Sequence, residues 1–499
     1  MVVYRKHILV MCVGAALVVF GVISKCSWSG IFFSQIKKMM VLAEGSTSFY
    51  IWRDIPIPMY LECFLFNITN TEDILAGKNV SLQVQQLGPY VFKEIRKKVN
   101  ITWNENNTVT FRNQRYWYYH PEMSNGSLSD LVTSINPIIV TIAYALRNES
   151  VMLRVFVDMI MRISHRDIFL KANVSSWLFD GIEDPLLNLA NRIPNIPYDI
   201  PFDKFGWLYT RNGSIDYDGE FVANTGEKDF FQLGMVERWQ HTNRTIYRDK
   251  CGELKGSSGE LWAPQRGLDE LSIFAPDLCT HMTLVADRPV RFMGLDGMQY
   301  IANDSLFDNG HKYPDMACYC DEPRDSNCLP AGALNVSACK FGAPAFVTRP
   351  HFLDMDPHYP SKIKGLAPNK NHNFKMSIEM NTGMPLAISA QLQANALVRH
   401  IPGMSLNNQL PDPDVLVPMF WFREEIVVNE KYANFARTAL NIKYVTPYGF
   451  YTLILIGCAV LAVTIWQYRK HQNVIKKQHN ISHEDTILTQ SFLKKGESS

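Results

Sequence analysis

Two apolar runs, one at each end of the chain, set the terms for everything between them. Near the start, His7 to Ile23 is almost wholly apolar and follows Arg5 and Lys6. Near the finish, Tyr448 to Trp466 carries no charge and is followed by Arg469, Lys470, Lys476 and Lys477. A helix of about 20 apolar residues crosses a bilayer, and the second run meets that length. The first is shorter before Lys25 and also has the basic start and short apolar core of a secretory signal peptide. An uncleaved anchor fits better, because apolar character resumes at Trp28 and Ile31 to Phe33 and Ser24-Lys25-Cys26 is a poor small-x-small cleavage site. Basic residues on the outer flanks put both termini in the cytosol. The expected layout is a cytosolic N-terminus at 1–7, transmembrane helices at 8–29 and 447–467, an ectodomain at 30–446 and a cytosolic tail at 468–499.

Glycan acceptor triplets support this topology. Asn-x-Ser/Thr occurs at Asn67, Asn79, Asn100, Asn106, Asn125, Asn148, Asn173, Asn212, Asn243, Asn303 and Asn335, with one more at Asn480 in the expected tail. One triplet arises easily by chance; their recurrence along a single span indicates a secreted surface with loops throughout. In that compartment cysteines oxidise. Cys318, Cys320, Cys328 and Cys339 crowd one stretch, with Cys251 and Cys279 upstream. Six cysteines can pair in about fifteen ways, so spacing leaves the connectivity open. A zinc site is the rival reading, but no C-x₂-C knuckle is present and no metal is expected. Cys63 is left over and reads as a buried thiol in a strand.

The net charge of +1 gives no field for nucleic acid. Neither G-x-S-x-G, H-E-x-x-H, a P-loop nor a Rossmann glycine pattern occurs, and the 13 histidines show no metal-ligand spacing. No catalytic residue and no cofactor are therefore expected. Gly256-Ser257-Ser258-Gly259 reads as a flexible loop, and His351 as a satisfied core or turn histidine.

Between the anchors the pattern is mostly β. Phe49 to Asn70 reads as extended backbone, Leu82 to Tyr90 and Tyr90 to Trp103 as two strands broken by Gly88-Pro89, and Val109 to Tyr119 as another. From Leu128 to Arg192 apolar residues recur at helical spacing. Val155, Phe156, Met159, Ile160 and Ile163 form one stripe; the opposite face carries Arg154, Asp158, Arg162, His165 and Arg166 and reads as a solvated face or an anion or partner contact. Asp158 is placed to pair with Arg154 and Arg162 at i±4. Irregular sequence follows at Pro194 to Pro201. Short strands are then expected at Trp207 to Arg211, Phe230 to Met235, Met282 to Val285, Val290 to Phe292 and Phe374 to Met380, with a long one within Met384 to His400.

Taken together, Phe66-Asn67-Ile68-Thr69-Asn70, Gly88-Pro89-Tyr90, Cys318-Tyr319-Cys320, Pro350-His351-Phe352-Leu353, Gly365-Leu366 with Pro368 and His372, and Val417-Pro418 with Trp421-Phe422 resemble the class B scavenger receptor family along the whole chain. Cys328 to Gly332 and Asn335 to Pro344 most resemble its insect croquemort-like branch. The resemblance implies an α+β protein: a mostly antiparallel β-barrel-like ectodomain with an internal tunnel, an apical helical bundle at 128–192 and two transmembrane helices. It implies disulfides joining Cys251 to Cys318, Cys279 to Cys339 and Cys320 to Cys328. It puts Arg162, His165 and Arg166 near the family's cationic ligand-binding position, although no lysine occupies the aligned site. Met380 stands where the family usually has proline. Cys12 and Cys458, unlike the family's juxtamembrane acylated cysteines, fall inside the expected spans. The function implied is a plasma-membrane scavenger receptor that binds lipids, lipoproteins or other polyanionic ligands and passes lipid through the tunnel to the membrane, with phagocytic uptake as one setting. Alternatives are a trafficking receptor of endosomal or lysosomal membrane with a protein ligand at the apex, and a sensory neuron membrane protein delivering hydrophobic odorants. Glu484-Asp485-Thr486-Ile487-Leu488 resembles an acidic dileucine sorting signal with altered spacing.

Overall fold

The computed structural model describes residues 2–190, 202–264, 269–320 and 328–496. Arg192 and the stretch from Pro194 to Pro201 lie outside them. The chain forms two compact units, Met1–Lys38 with Asn434–Ser499, and Met39–Ala433. The first is built from the helices Val2–Met40 and Glu430–Gly496, in which Arg5–Met40 and Glu430–Gln478 are long and apolar enough to cross a membrane. Glycines make their seam. A Cβ on Gly457 would stand 2.8 Å from the Gly14 carbonyl oxygen, and one on Gly21 would stand 2.6 Å from Ile454. Small residues allow this approach, which dispersion rewards where lipid removes any hydrophobic drive.

The second unit is organised by a 14-stranded sheet. Its main path runs Glu270–Ala275, Thr280–Phe292, Leu295–Ala302, Lys375–Ile378, Pro385–Arg399, Asp414–Val427, Met59–Ile68, Leu82–Trp103, Thr108–Tyr119, Glu220–Asn224 and Val236–Trp239. Every pairing along that path is antiparallel. The two end strands do not face water as open edges. Residues 256–258 lie between them: Val236 N–H donates to the Gly256 carbonyl, Ser258 N–H to Gly234, Ser257 N–H to Ser272, and Phe274 N–H to Ser257. The sheet is thereby almost closed into a barrel. Gly256 has φ +97° and a Cβ there would lie 2.6 Å from the Ser272 carbonyl, so only glycine fits. The segment read as a flexible loop is thus the clasp of the barrel.

Other departures have local causes. Leu82–Trp103 is one strand rather than two, and the pairing of Met59–Ile68 with it shifts register between Cys63 and Leu65. At that bulge Gly88 has φ +103°, with the Cys63 carbonyl 2.7 Å from where a Cβ would be. Phe49 to Arg53 is helical, not extended, because the Ser46 side chain caps Thr47–Arg53 by accepting from Phe49 N–H. Asp229 likewise accepts from Phe231 N–H and turns Phe230–Gln232 into a 3₁₀ turn in place of the expected strand. Trp207 to Arg211 is a series of turns, with Tyr209 N–H donating to Gly206 and Arg211 N–H to Leu208. Three disulfides, Cys251–Cys318, Cys279–Cys339 and Cys320–Cys328, cross-link the later half. Cys63 is a fully buried free thiol, and burial, then Glu62, push its pKa up.

Gly256→Ala is expected to lower stability by about 2 kcal/mol or more, since it forces a left-handed φ on a Cβ-bearing residue and a clash on the clasp. Thermal unfolding of the full-length protein in detergent checks this; an unchanged midpoint would show that the clasp bears no load.

Candidate functional site

The helical insertion is smaller and more mixed than its sequence spacing suggests. Leu131–Ile135 and Phe169–Asn173 form an antiparallel pair that brackets two helices, Pro137–Ala145 and Val151–Ser164. Asn136 caps the first helix with Pro137 at its first turn, and Ser150 caps the second by accepting from Leu153 N–H. The second helix is seated with its polar side inward. Arg154, Val157, Asp158 and Met161 are buried, while Met152, Phe156, Met159 and Ile163 are 84%, 60%, 62% and 86% exposed. Asp158 does not pair at i±4. Its carboxylate instead accepts from Ser405 Oγ and Leu406 N–H, anchoring the helix to the chain around residue 405. The expected solvated face is therefore corrected: Arg154 and Asp158 lie in the interior, and the apolar stripe faces outward.

The three cationic candidates part company. Arg162 is exposed and donates from Nη1 to Ser405 Oγ at 3.0 Å. Arg166 is exposed. His165 is half-buried against Asp184 at 3.0 Å, and Asp184 also accepts from Asn136 Nδ2 and Leu186 N–H. The bundle thus presents Arg162 and Arg166 beside an apolar stripe, with His165 turned to its own scaffold. Among the acceptor asparagines, Asn79, Asn100, Asn106, Asn125, Asn148, Asn212 and Asn243 are exposed, and Asn67, Asn173 and Asn303 half-buried. Asn335 is buried in a strand pair, its Oδ1 accepting from Ser337 N–H.

A second polar feature lies on the enclosed face of the sheet. Along Leu82–Trp103, Lys93, Ile95 and Lys97 are exposed while Glu94, Arg96 and Lys98 point inward. Arg96 reaches Glu94 at 2.7 Å and Glu424 at 2.6 Å; Lys98 reaches Glu260 at 2.6 Å and Asn113 at 2.7 Å. Asn113 donates to Asp218 at 3.3 Å, and Asp218 takes Arg115 and Arg211. Arg211 continues to Asp277 at 2.8 Å. Burial favours the neutral form of Glu94, Arg96, Lys98, Arg211, Asp218, Glu260, Asp277 and Glu424, but the neighbours decide most of them. Against burial, Arg96 and Arg115 hold Glu94 below the usual carboxylate range, and Arg115 and Arg211 do so for Asp218. For Lys98 burial wins and lowers its pKa. For Glu424 burial wins too, over the attraction of Arg96, and raises it.

His351 sits in the core at φ +56° with both ring nitrogens engaged. Ala367 N–H donates to Nδ1, so Nε2 carries the proton and donates to Gln86 Oε1 at 2.7 Å; Trp421 Nε1 donates to the same oxygen. Burial, then His372 stacked at 5.1 Å, lower its pKa to about 4. At the Met380 position the turn is held by Glu379, whose carboxylate accepts from Asn381 and Thr382. Among the described residues no cluster of His, Cys, Asp or Glu could hold a metal.

A nearly closed antiparallel barrel, a helical insertion and two terminal apolar helices define a two-span membrane protein with a barrel-like ectodomain. The chain belongs to the CD36 family, whose match covers residues 12–468. It is 32% identical over 431 residues to Protein peste of Drosophila melanogaster, covering 85% of this chain and 76% of that one. It is 31% identical over 467 residues to scavenger receptor class B member 1 of Bos taurus, covering 92% and 89%. Lysosome membrane protein 2 of Mus musculus is 28% identical over 439 residues, covering 86% and 88%.

Asp158→Ala should destabilise by about 2–3 kcal/mol because it strands Leu406 N–H and releases the helix, whereas Phe156→Ser should stay within about 0.5 kcal/mol. Equal effects on the unfolding midpoint would reverse the assigned helix orientation. His351 titrates below its ordinary 6.5, so its contribution to stability is full above about pH 6.5 and drains as pH falls from there towards 4. The unfolding midpoint should drop across that window, less steeply in His351→Gln; parallel profiles would remove His351 as the cause.

Proposed function

We propose that the protein works at the plasma membrane as a scavenger receptor, with both termini in the cytosol. It captures lipid-rich or polyanionic particles at the apical helices and hands apolar lipid through the barrel to the bilayer. What carries this reading is the pairing, on Val151–Ser164 and just after it, of an exposed apolar stripe, Met152, Phe156, Met159 and Ile163, with exposed Arg162 and Arg166. A lipoprotein surface offers both complements: acyl chains for the stripe and phosphate or carboxylate for the guanidiniums. The likeness to scavenger receptor class B member 1 along nearly the whole chain supports the same reading. Transfer along the barrel is downhill burial of apolar surface at about 25 cal/mol per Å² and requires no nucleotide.

The same stripe supports a second reading, a receptor that carries a protein partner to endosomal or lysosomal membrane. Large exposed apolar side chains rimmed by charge are common at protein interfaces, and lysosome membrane protein 2 is among the similar chains. Glycans on the exposed acceptor asparagines and anion recognition by Arg162 and Arg166 belong to both readings.

In cells expressing the full-length chain, Arg162→Glu with Arg166→Glu should weaken binding of anionic phospholipid vesicles at least about fivefold at low salt, with surface expression unchanged. Unaltered vesicle binding would end the apical-cation reading, and steady-state residence in lysosomal membrane would favour the carrier.

A further inference from the structure

The enclosed ionic chain is incompletely bonded. Arg115 and Arg211 hold opposite oxygens of Asp218 at 2.9 and 3.1 Å, so the two guanidiniums are locked side by side. The Nε–H of each is buried and has no hydrogen-bond partner. A buried donor left unmet is costly, and two on one bridged pair call for an acceptor. The surroundings leave access for one. Arg96, Arg115 and Glu424 keep 12%, 14% and 15% side-chain exposure although they sit on the enclosed side of the sheet, so a water-sized space reaches them. Apolar clusters lie on either side: Phe92 and Trp117 belong to one core, while Trp52, Phe111 and Phe221 belong to another. Along these strands the order is apolar, polar, apolar, which is the order of a molecule with apolar ends and a polar atom between them.

Charge decides which polar atom. The chain holds four cations, Arg96, Lys98, Arg115 and Arg211, against five carboxylates, Glu94, Asp218, Glu260, Asp277 and Glu424. Burial raises the pKa of Glu424, and Lys340 also acts on Asp277, so the chain carries no surplus of positive charge. An incoming anion would add uncompensated charge in a low-dielectric interior. A hydrocarbon offers no acceptor. An uncharged oxygen satisfies a guanidinium and leaves the balance untouched.

We infer that the Arg115–Asp218–Arg211 bridge is a headgroup station for amphipathic lipids whose headgroup is an uncharged oxygen, as in long-chain alcohols, sterols and acylglycerols, in preference to the matching carboxylate or hydrocarbon. This rests on the lipid-carrying reading above and adds a selectivity element to it.

The test uses the full-length protein in detergent, labelled with hexadecanol bearing a mid-chain photoreactive diazirine, with hexadecanol, palmitate and hexadecane as competitors and the labelled peptides mapped by mass spectrometry. Labelling is expected in Leu82–Trp103 and Thr108–Tyr119, with hexadecanol competing at least about tenfold better than either other C16 molecule. Arg115→Lys keeps the charge on Asp218 but puts a methylene where Nε stood; it should cost hexadecanol about tenfold and leave hexadecane unmoved, at an unchanged unfolding midpoint. Equal competition by all three molecules, or an unchanged ranking in Arg115→Lys, would mean that water completes the guanidiniums and would overturn the inference while leaving lipid carriage standing. No barrel labelling by any probe would overturn both. Should Arg115→Lys fail to reach the surface, the wild-type ranking decides alone.

Discussion

The clasp at residues 256–258 is the interaction on which the ectodomain depends. A sheet of this many strands has two edges, and each edge is a row of unpaired N–H and C=O groups. Here both rows are satisfied by the same short segment, through Val236 on one side and Ser272 and Phe274 on the other. Closure gives the sheet an inside. Only with an inside can ten or so charged and polar side chains be held away from bulk water, and they persist there because nearly all are paired. The covalent links flank the same place. Cys251 lies just before the clasp and is tied to Cys318 across 67 residues; Cys279 lies just after the edge strand Glu270–Ala275 and is tied to Cys339 across 60. Loops of that size constrain the unfolded chain by about 4 kcal/mol each, so the joint least supported by long strands carries most of the cross-linking.

The large elements were legible because their signals are one-dimensional. Uncharged runs mark the two spans, and alternation marks Thr108–Tyr119 and Pro385–Arg399. Short elements were misjudged where one capping side chain outvotes propensity, as Ser46 does for Phe49 to Arg53 and Asp229 does for Phe230 to Gln232. Strands inside the insertion were hidden because Leu131–Ile135 and Phe169–Asn173 are too brief to show a period. The helix Val151–Ser164 displays the deeper limit. Periodicity reveals two faces but not which one is buried; that was decided by Ser405 and Leu406, about 250 residues away.

The ionic chain was illegible for a related reason. In Lys93-Glu94-Ile95-Arg96-Lys97-Lys98 charge falls on both faces of the strand, so the segment reads as solvated throughout. Its inward members are recognisable only once Glu260, Asp218 and Glu424 arrive from other parts of the chain. The clasp was missed similarly: Gly-Ser-Ser-Gly has the composition of a linker, and its φ +97° glycine matters only beside Ser272.

The outward stripe of Val151–Ser164 has a chemical liability in its composition. Met152 and Met159 hold thioether sulfurs at the surface, 84% and 62% exposed, with no neighbouring core to shield them. Oxidation to the sulfoxide converts each from an apolar to a polar, chiral side chain, and because neither packs inside, the fold would not register the change. Under the proposed function, binding through the stripe would weaken while the molecule stayed intact, until the sulfoxide was reduced. The exposed thioethers would then hold a reversible record of the oxidants they had met.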